Sequence, residues 1–309
     1  MKILVTGAAG MLGDSLIPIL GEDNHEVFPT DINITDPRIK YLDVRKIDEI
    51  FKFVNTIKPD MIIHLAAETD LEKCQEDIDE AYKVNAMGTQ NVALACQEKD
   101  IPLVYVSTAG VFDGSKETPY TEFDVPNPLN VYGLSKLEGE HFVKALLKKY
   151  FIVRAGWMIG GGEKDKKFVR KIISQIEEGK KEIHAVTDKR GTPTYAPAFS
   201  TVLAKLIKTN FYGLYHLACL GTATRYDVAS KIVEFLEIDD LKLIPVKSDF
   251  FAKEYPTPRP SSEEMRNFML ELRGINSMPK WEDALRQYLD KYFKHVYLHL
   301  KSKGRSGKN

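Results

Sequence analysis

The chain has 309 residues, of which 43% are hydrophobic, and 43 basic against 44 acidic side chains leave a formal net charge of −1. That length can bury a sizeable core, and the balanced charge excludes the electrostatic footprint of a nucleic-acid-binding protein outside a short basic tail, 301–309. Three scattered cysteines without a CxxC pair exclude a disulfide framework and a structural zinc site and fit a reducing cytoplasm; seven histidines show no metal spacing, and no apolar run approaches a signal peptide or a membrane span.

Residues 2–6 form an apolar run that reads as a buried parallel strand, and Gly7-Ala8-Ala9-Gly10-Met11-Leu12-Gly13 follows it and opens an amphipathic helix. Glycines there let the backbone approach a pyrophosphate, whose charge the exposed amides and helix dipole favour. Gly7, Gly10, Met11, Leu12 and Gly13 are therefore candidate dinucleotide-binding residues. Strand candidates at 26–30, 40–43, 61–67, 103–108 and 151–157 then alternate with helical patterns at 15–20, 47–57, 77–99 and 131–149. Such alternation predicts an α/β protein with a Rossmann-like, doubly wound parallel sheet.

Asp31 follows the second strand candidate, where a carboxylate either accepts hydrogen bonds from the adenosine ribose or caps a turn. In the first role it favours NAD(H) over NADP(H), with Arg38 and Arg45 as cations able to offset a 2′-phosphate. Asp43, beside Val44, is placed to bind the adenine amino group or to close a turn. Ala66 and Ala67, after His64-Leu65, are small enough to let a cofactor lie across the sheet edge or a helix pack closely. At the end of the fifth strand, Ser107 and Thr108 face opposite sides, and Thr108 is assigned to the substrate carbonyl.

Tyr132 and Lys136 share one face of the next helix, so an ammonium can sit beside a phenol, stabilise its ionised form and lower its pKa. Tyr132 would protonate a developing alkoxide and Lys136 would also bind the nicotinamide ribose. Tyr297 and Lys301 repeat the spacing, so it is the order of motifs along the chain that carries the assignment.

Beyond residue 160 the pattern loosens. Glycines 160–162 and a charged run at 163–167 precede a helix at 168–178; strands at 183–186, 215–218 and 242–246 then mix with helices at 198–208 and 225–237, before a proline-rich stretch at 255–260. The expected organisation is an NAD(P)-binding domain over 1–160, a smaller α/β substrate lobe over 161–300 partly interwoven with it, and the basic tail over 301–309. Arg259 has a guanidinium suited to a bidentate grip on a diphosphate, or is a solvated surface arginine.

The chain resembles the extended short-chain dehydrogenase/reductases, and within them the dTDP-4-dehydrorhamnose reductase branch. The likeness rests on Gly7-Ala-Ala-Gly10-Met-Leu-Gly13, His64-Leu-Ala-Ala-Glu-Thr69, Val84-Asn85 through Asn91, Ser107-Thr108 with Val111-Phe112-Asp113-Gly114, Asn130 through Glu140, Arg154-Ala-Gly-Trp157, Gly191-Thr-Pro193-Thr194 and Arg259-Pro260. That resemblance implies Thr108, Tyr132 and Lys136 as a catalytic triad, NADH or NADPH as cofactor, Trp157 and Arg259 at a sugar-nucleotide substrate, and a homodimer. It implies reduction of a 4-keto-6-deoxy sugar nucleotide for cell-surface polysaccharide. A sugar-nucleotide epimerase, and a regulatory subunit similar to the beta subunit of methionine adenosyltransferase, are the alternatives. The chain departs from the branch at Ala109-Gly110, where an Asp-Tyr pair is usual, and substrate choice is expected to depart with it.

Overall fold

The computed structural model describes residues 1–294 and Val296; the basic tail, Tyr297 and Lys301 lie outside the described residues. The first half runs β1 (Lys2–Thr6), α1 (Met11–Glu22), β2 (Glu26–Asp31), β3 (Lys40–Tyr41), α2 (Ile47–Ile57), β4 (Met61–His64), α3 (Leu71–Glu76), α4 (Ile78–Tyr82), α5 (Gly88–Lys99), β5 (Leu103–Thr108), α6 (Val131–Leu146) and β6 (Tyr150–Ala155). The second half adds β7 (Trp157–Ile159), α7 (Phe168–Glu177), β8 (Glu182–Val186), β9 (Arg190–Gly191), β10 (Pro193–Tyr195), α8 (Ala196–Leu206), β11 (Gly213–Leu217), β12 (Ala223–Thr224), α9 (Arg225–Phe235), β13 (Lys242–Val246), β14 (Ser262–Glu263), α10 (Phe268–Leu272) and α11 (Trp281–Tyr292).

Seven strands form one parallel sheet in the order β11-β6-β5-β4-β1-β2-β3. This is the doubly wound α/β sheet expected from the alternating pattern. Strand order reverses between β1 and β4, which opens a crevice at their carboxyl ends. The apolar strands are buried on both faces because helices cover both. On β1, Ile3 and Val5 enter one core with Leu16, Leu20, Phe199 and Leu203, while Leu4 enters the other with Ile50, Val54, Val92 and Tyr105. Each such side chain contributes roughly 1.5–3 kcal/mol by leaving water.

Tertiary packing changes several boundaries. The expected strand at 151–157 breaks at Gly156, where a Cβ would meet the Thr192 carbonyl oxygen at 2.3 Å; beyond it β7 leaves the large sheet and pairs with β10. The expected helix at 77–99 divides into α4, a π-turn at Lys83–Met87 and α5, and the turn buries Asn85. Expected strand 61–67 ends at His64, leaving Leu65, Ala66 and Ala67 in the loop above the crevice. From beyond residue 160, β11 pairs with β6 in the large sheet. Helix α11, which the sequence reading does not assign, buries Trp281, Ala284, Leu285, Tyr288 and Leu289 at helical spacing.

Between α6 and the sheet lies a fully buried ion pair. Arg154 on β6 donates from Nε and Nη2 to the two Glu140 carboxylate oxygens, at 2.8 and 2.7 Å, and Ser107 Oγ adds a third bond at 2.7 Å. Burial, the largest single influence, would push the Glu140 carboxyl up, but the Arg154 guanidinium together with Lys144 and Ser107 holds it below its ordinary value. Glu140→Ala leaves that guanidinium buried without its carboxylate. It is expected to cost about 3–5 kcal/mol of stability, read as a lower urea midpoint at unchanged m value; a variant as stable as the parent would show the pair to be dispensable.

Candidate active site

The glycine-rich turn between β1 and α1 faces the crevice, and its three glycines do different work. Gly7 has φ +71°, and a Cβ on it would lie 2.4 Å from the Ala66 amide nitrogen, so both backbone handedness and contact with the post-β4 loop require glycine. At Gly13 a Cβ would meet the Ala8 carbonyl oxygen at 2.2 Å, closing helix onto turn. Gly10 has an ordinary extended backbone (φ −75°, ψ 170°), and a Cβ there would meet nothing nearer than the Gly7 oxygen at 3.4 Å. Neither strain nor packing demands glycine at position 10. What it leaves is an open cradle before the unpaired first amides of α1, which fits a pyrophosphate.

Around that cradle, Asp31 accepts the Ala9 amide at 3.0 Å and the Asn33 amide at 2.8 Å, bracing the turn from the end of β2. The Asp43 carboxylate is buried and takes both Nε and Nη2 of Arg45, which also reaches Glu80 at 2.6 Å. Arg38 pairs with Asp36 on the exposed loop. Val44 is buried, and its carbonyl accepts the Asn91 side-chain amide at 3.0 Å. Ala66 and Ala67 line the loop that Gly7 touches. Met11 meets the 160–161 loop, since a Cβ on Gly161 would lie 3.1 Å from its Cγ, and the half-buried Leu12 packs against the core on the α1 face of the sheet.

At the end of β5 the two hydroxyl residues part. Ser107 turns inward to Glu140, whereas the half-buried Thr108 accepts the Gly110 amide at 3.0 Å and adjoins the Tyr132 phenol. Two glycines of α6 allow this approach: a Cβ on Gly133 would strike the Gly110 oxygen at 2.3 Å, and one on Gly139 would strike the Tyr105 hydroxyl at 2.4 Å. Asn130 caps the helix through the Gly133 amide at 2.9 Å and binds the Pro258 carbonyl at 2.9 Å, tying α6 to the segment that carries Arg259.

The electrostatics differ from the sequence expectation. Desolvation pushes the Tyr132 phenol up to about 12, against a smaller opposing contribution from Thr108, so the phenol is held protonated rather than poised to ionise. The same cause takes the buried Lys136 down to about 7. Its Nζ stands 4.2 Å from the centroid of the Tyr105 ring, whose hydroxyl donates to the Lys136 carbonyl at 3.0 Å. Burial in a dry wall disfavours the charged form of each group, and neither shift draws on the other, so the stabilisation expected from helical spacing is not what sets them.

The second half covers the crevice beyond Thr108. Trp157 is 9% exposed; it lies flat on Gly191, where a Cβ would come within 2.2 Å of the ring, and Arg225 stacks on it 3.5 Å from the centroid. Its Nε1 donates to Glu263 at 2.7 Å. Arg259 binds Glu72 at 2.5 Å and the Thr257 carbonyl at 3.0 Å, and Glu72 also accepts the Thr257 amide. Arg225, Lys167, Glu263 and Glu72 are neighbours of the site that sequence reading does not identify. Only Arg225 had a visible signal, as the first residue of a capped helix, and that signal concerns the helix alone.

Residues 1–294 match the family described as RmlD substrate binding domain. A curated relative named dTDP-4-dehydrorhamnose reductase, from Aggregatibacter actinomycetemcomitans, is 32% identical over 298 residues, covering 92% of this chain and 97% of the relative. Two crystal structures of that name cover 94% of this chain and 99% of their own. The Clostridium acetobutylicum structure has 39% identity and a TM-score of 0.86; the Bacillus anthracis structure, in complex with NADP, has 36% and 0.87.

The open cradle at Gly10 generates a discriminating test. Gly10→Ala is expected to change stability by less than about 1 kcal/mol while weakening dinucleotide binding roughly tenfold or more, measured by fluorescence titration; unchanged affinity would remove the phosphate from that position. The Lys136 shift has a defined sign. Because the folded-state pKa lies below the unfolded one, the unfolded chain binds more protons between about pH 7 and pH 10, and stability conferred by this group rises with pH across that window. Urea titrations should therefore show the parent gaining on Lys136→Met as pH rises from 7 to 10, and a constant difference would contradict the assignment.

Proposed function

Since the chain belongs to the RmlD substrate binding domain family, we propose that its site reduces the 4-keto group of a 4-keto-6-deoxy sugar nucleotide with NADH or NADPH. The observation that carries this reading is a phenol held protonated beside Thr108, at the mouth of a crevice whose other end is a glycine cradle for a dinucleotide. A reduced nicotinamide bound in that crevice supplies hydride to the keto carbon. Gly10 leaves room for the pyrophosphate in a turn that Gly7 and Gly13 shape, and Asp31, Asp43, Val44, Ala66 and Ala67 border the adenosine and nicotinamide path.

As charge builds on the substrate oxygen, Thr108 holds that oxygen and Tyr132 donates its proton. A phenol pushed up to about 12 is still a stronger acid than an alcohol, so the raised pKa supports protonation of an alkoxide and keeps the donor loaded at neutral pH. Lys136 lies beneath the same wall, and the negative charge left on the phenol is what returns an ammonium to it. Trp157 and Arg259 border the sugar-nucleotide side. The lobe beyond residue 160, with the exception of β11, is the substrate-binding part, and the enzyme works in the cytoplasm as a homodimer in deoxysugar synthesis for cell-surface polysaccharide.

Mixing the protein with NADH or NADPH and 4-keto-6-deoxy sugars carried on dTDP, GDP, UDP or CDP should give stoichiometric loss of nicotinamide absorbance with one of them. Tyr132→Phe and Lys136→Ala should each lower turnover by roughly 10²–10⁴-fold with unchanged circular dichroism. Normal turnover in either variant would remove that residue from the chemistry.

A further inference from the structure

The Ala109-Gly110 departure leaves a gap beside Thr108, and the structure shows what faces it. A Cβ on Gly110 would lie 3.4 Å from Thr108 Oγ1 and 3.6 Å from Glu263 Oε1, so the catalytic-strand hydroxyl and a carboxylate from the far end of the chain flank a single point. Any longer side chain at 110 would start between them. Glu263 is fixed in place: β14 pairs with β9 through Ser262 to Arg190 and Glu263 to Gly191, and Trp157 Nε1 donates to Oε2 at 2.7 Å. The other oxygen, Oε1, has no hydrogen-bond partner among the described residues, and the side chain is only partly buried. It lies close enough for its charge to act on Tyr132, Lys167 and Arg225.

We propose that Glu263 is the specificity-determining residue of this site, its free oxygen accepting a hydrogen bond from a sugar hydroxyl near the carbonyl under reduction. The group it meets is a neutral donor, since a carboxylate repels a diphosphate, and the hydroxyl-bearing ring is the part of the substrate that must lie at Thr108. Glu263 thereby supplies from β14 the carboxylate that Ala109-Gly110 withdraws from the end of β5, and approaches the ring from another side. A substrate lacking the hydroxyl leaves a partly desolvated charge without its donor, which is the strongest form of discrimination available to such a site.

This inference rests on the keto-sugar reductase reading, and one experiment separates their failures. Parent enzyme and Glu263→Gln, whose amide oxygen still accepts from Trp157, are assayed with NADPH on the accepted 4-keto sugar nucleotide and on its 2-deoxy and 3-deoxy analogues. The expected result is a loss in kcat/KM of roughly 10- to 100-fold for the variant on the full substrate, shrinking to about twofold or less on one deoxy analogue, with NADPH affinity unchanged. Equal losses on all three substrates, or no loss on any, would overturn the role of Glu263 while leaving the reductase reading standing. A parent enzyme that consumes no cofactor with any keto sugar nucleotide would overturn both.

Discussion

The buried ion pair of Glu140 with Arg154 fixes α6 across the ends of β5 and β6, and the meeting of Tyr132 with Thr108 depends on that placement. Two charges without solvent are stable only when every oxygen and nitrogen has a partner, and here Ser107 completes the carboxylate while His216 lies 3.5 Å from the remaining guanidinium nitrogen. The pair defines where the helix lies along the sheet. Gly133 and Gly139 then set how closely it lies, by removing the side chains that would keep it off Gly110 and Tyr105. Tyr132 meets Thr108 because of both constraints together.

The same geometry makes the wall dry, and dryness determines protonation. Tyr132 and Lys136 both shift toward their neutral forms, one up and the other down, with loss of water the largest cause for each. On the proposed reading this is useful, since a donor to the substrate oxygen must be protonated before hydride arrives. His64 follows the same rule: wedged between the Thr6 and Thr89 hydroxyls at 2.7 and 3.1 Å, it is taken down to about 3 and serves as a neutral strut between β1 and α5.

The segments beyond residue 160 reach the crevice by contacts distant in sequence. Pro258 with Asn130, and Thr257 and Arg259 with Glu72, join a loop of the second half to helices of the first, and Glu263 with Trp157 holds β14 to β7 within the second half. No linker separates the two parts, because β11 completes the large sheet beside β6 and α8 packs on α1.

The sequence by itself determined the sheet, the glycine turn and the face shared by Tyr132 and Lys136, because each depends on local periodicity or a local turn. The run Ile3-Leu4-Val5 is apolar at three successive positions because both faces of β1 are covered there, and that is visible without any neighbour. Only the tertiary structure decided that Gly156 ends β6, that β11 returns to the large sheet, and that Glu263 stands at Gly110. It also reversed the expected acidity of Tyr132, since helical spacing says which groups share a face, but only packing says how much water reaches them. Long-range proximity and solvent exclusion leave no periodic trace in the chain, and the side of the crevice formed by Trp157, Arg225, Arg259 and Glu263 is built from these two.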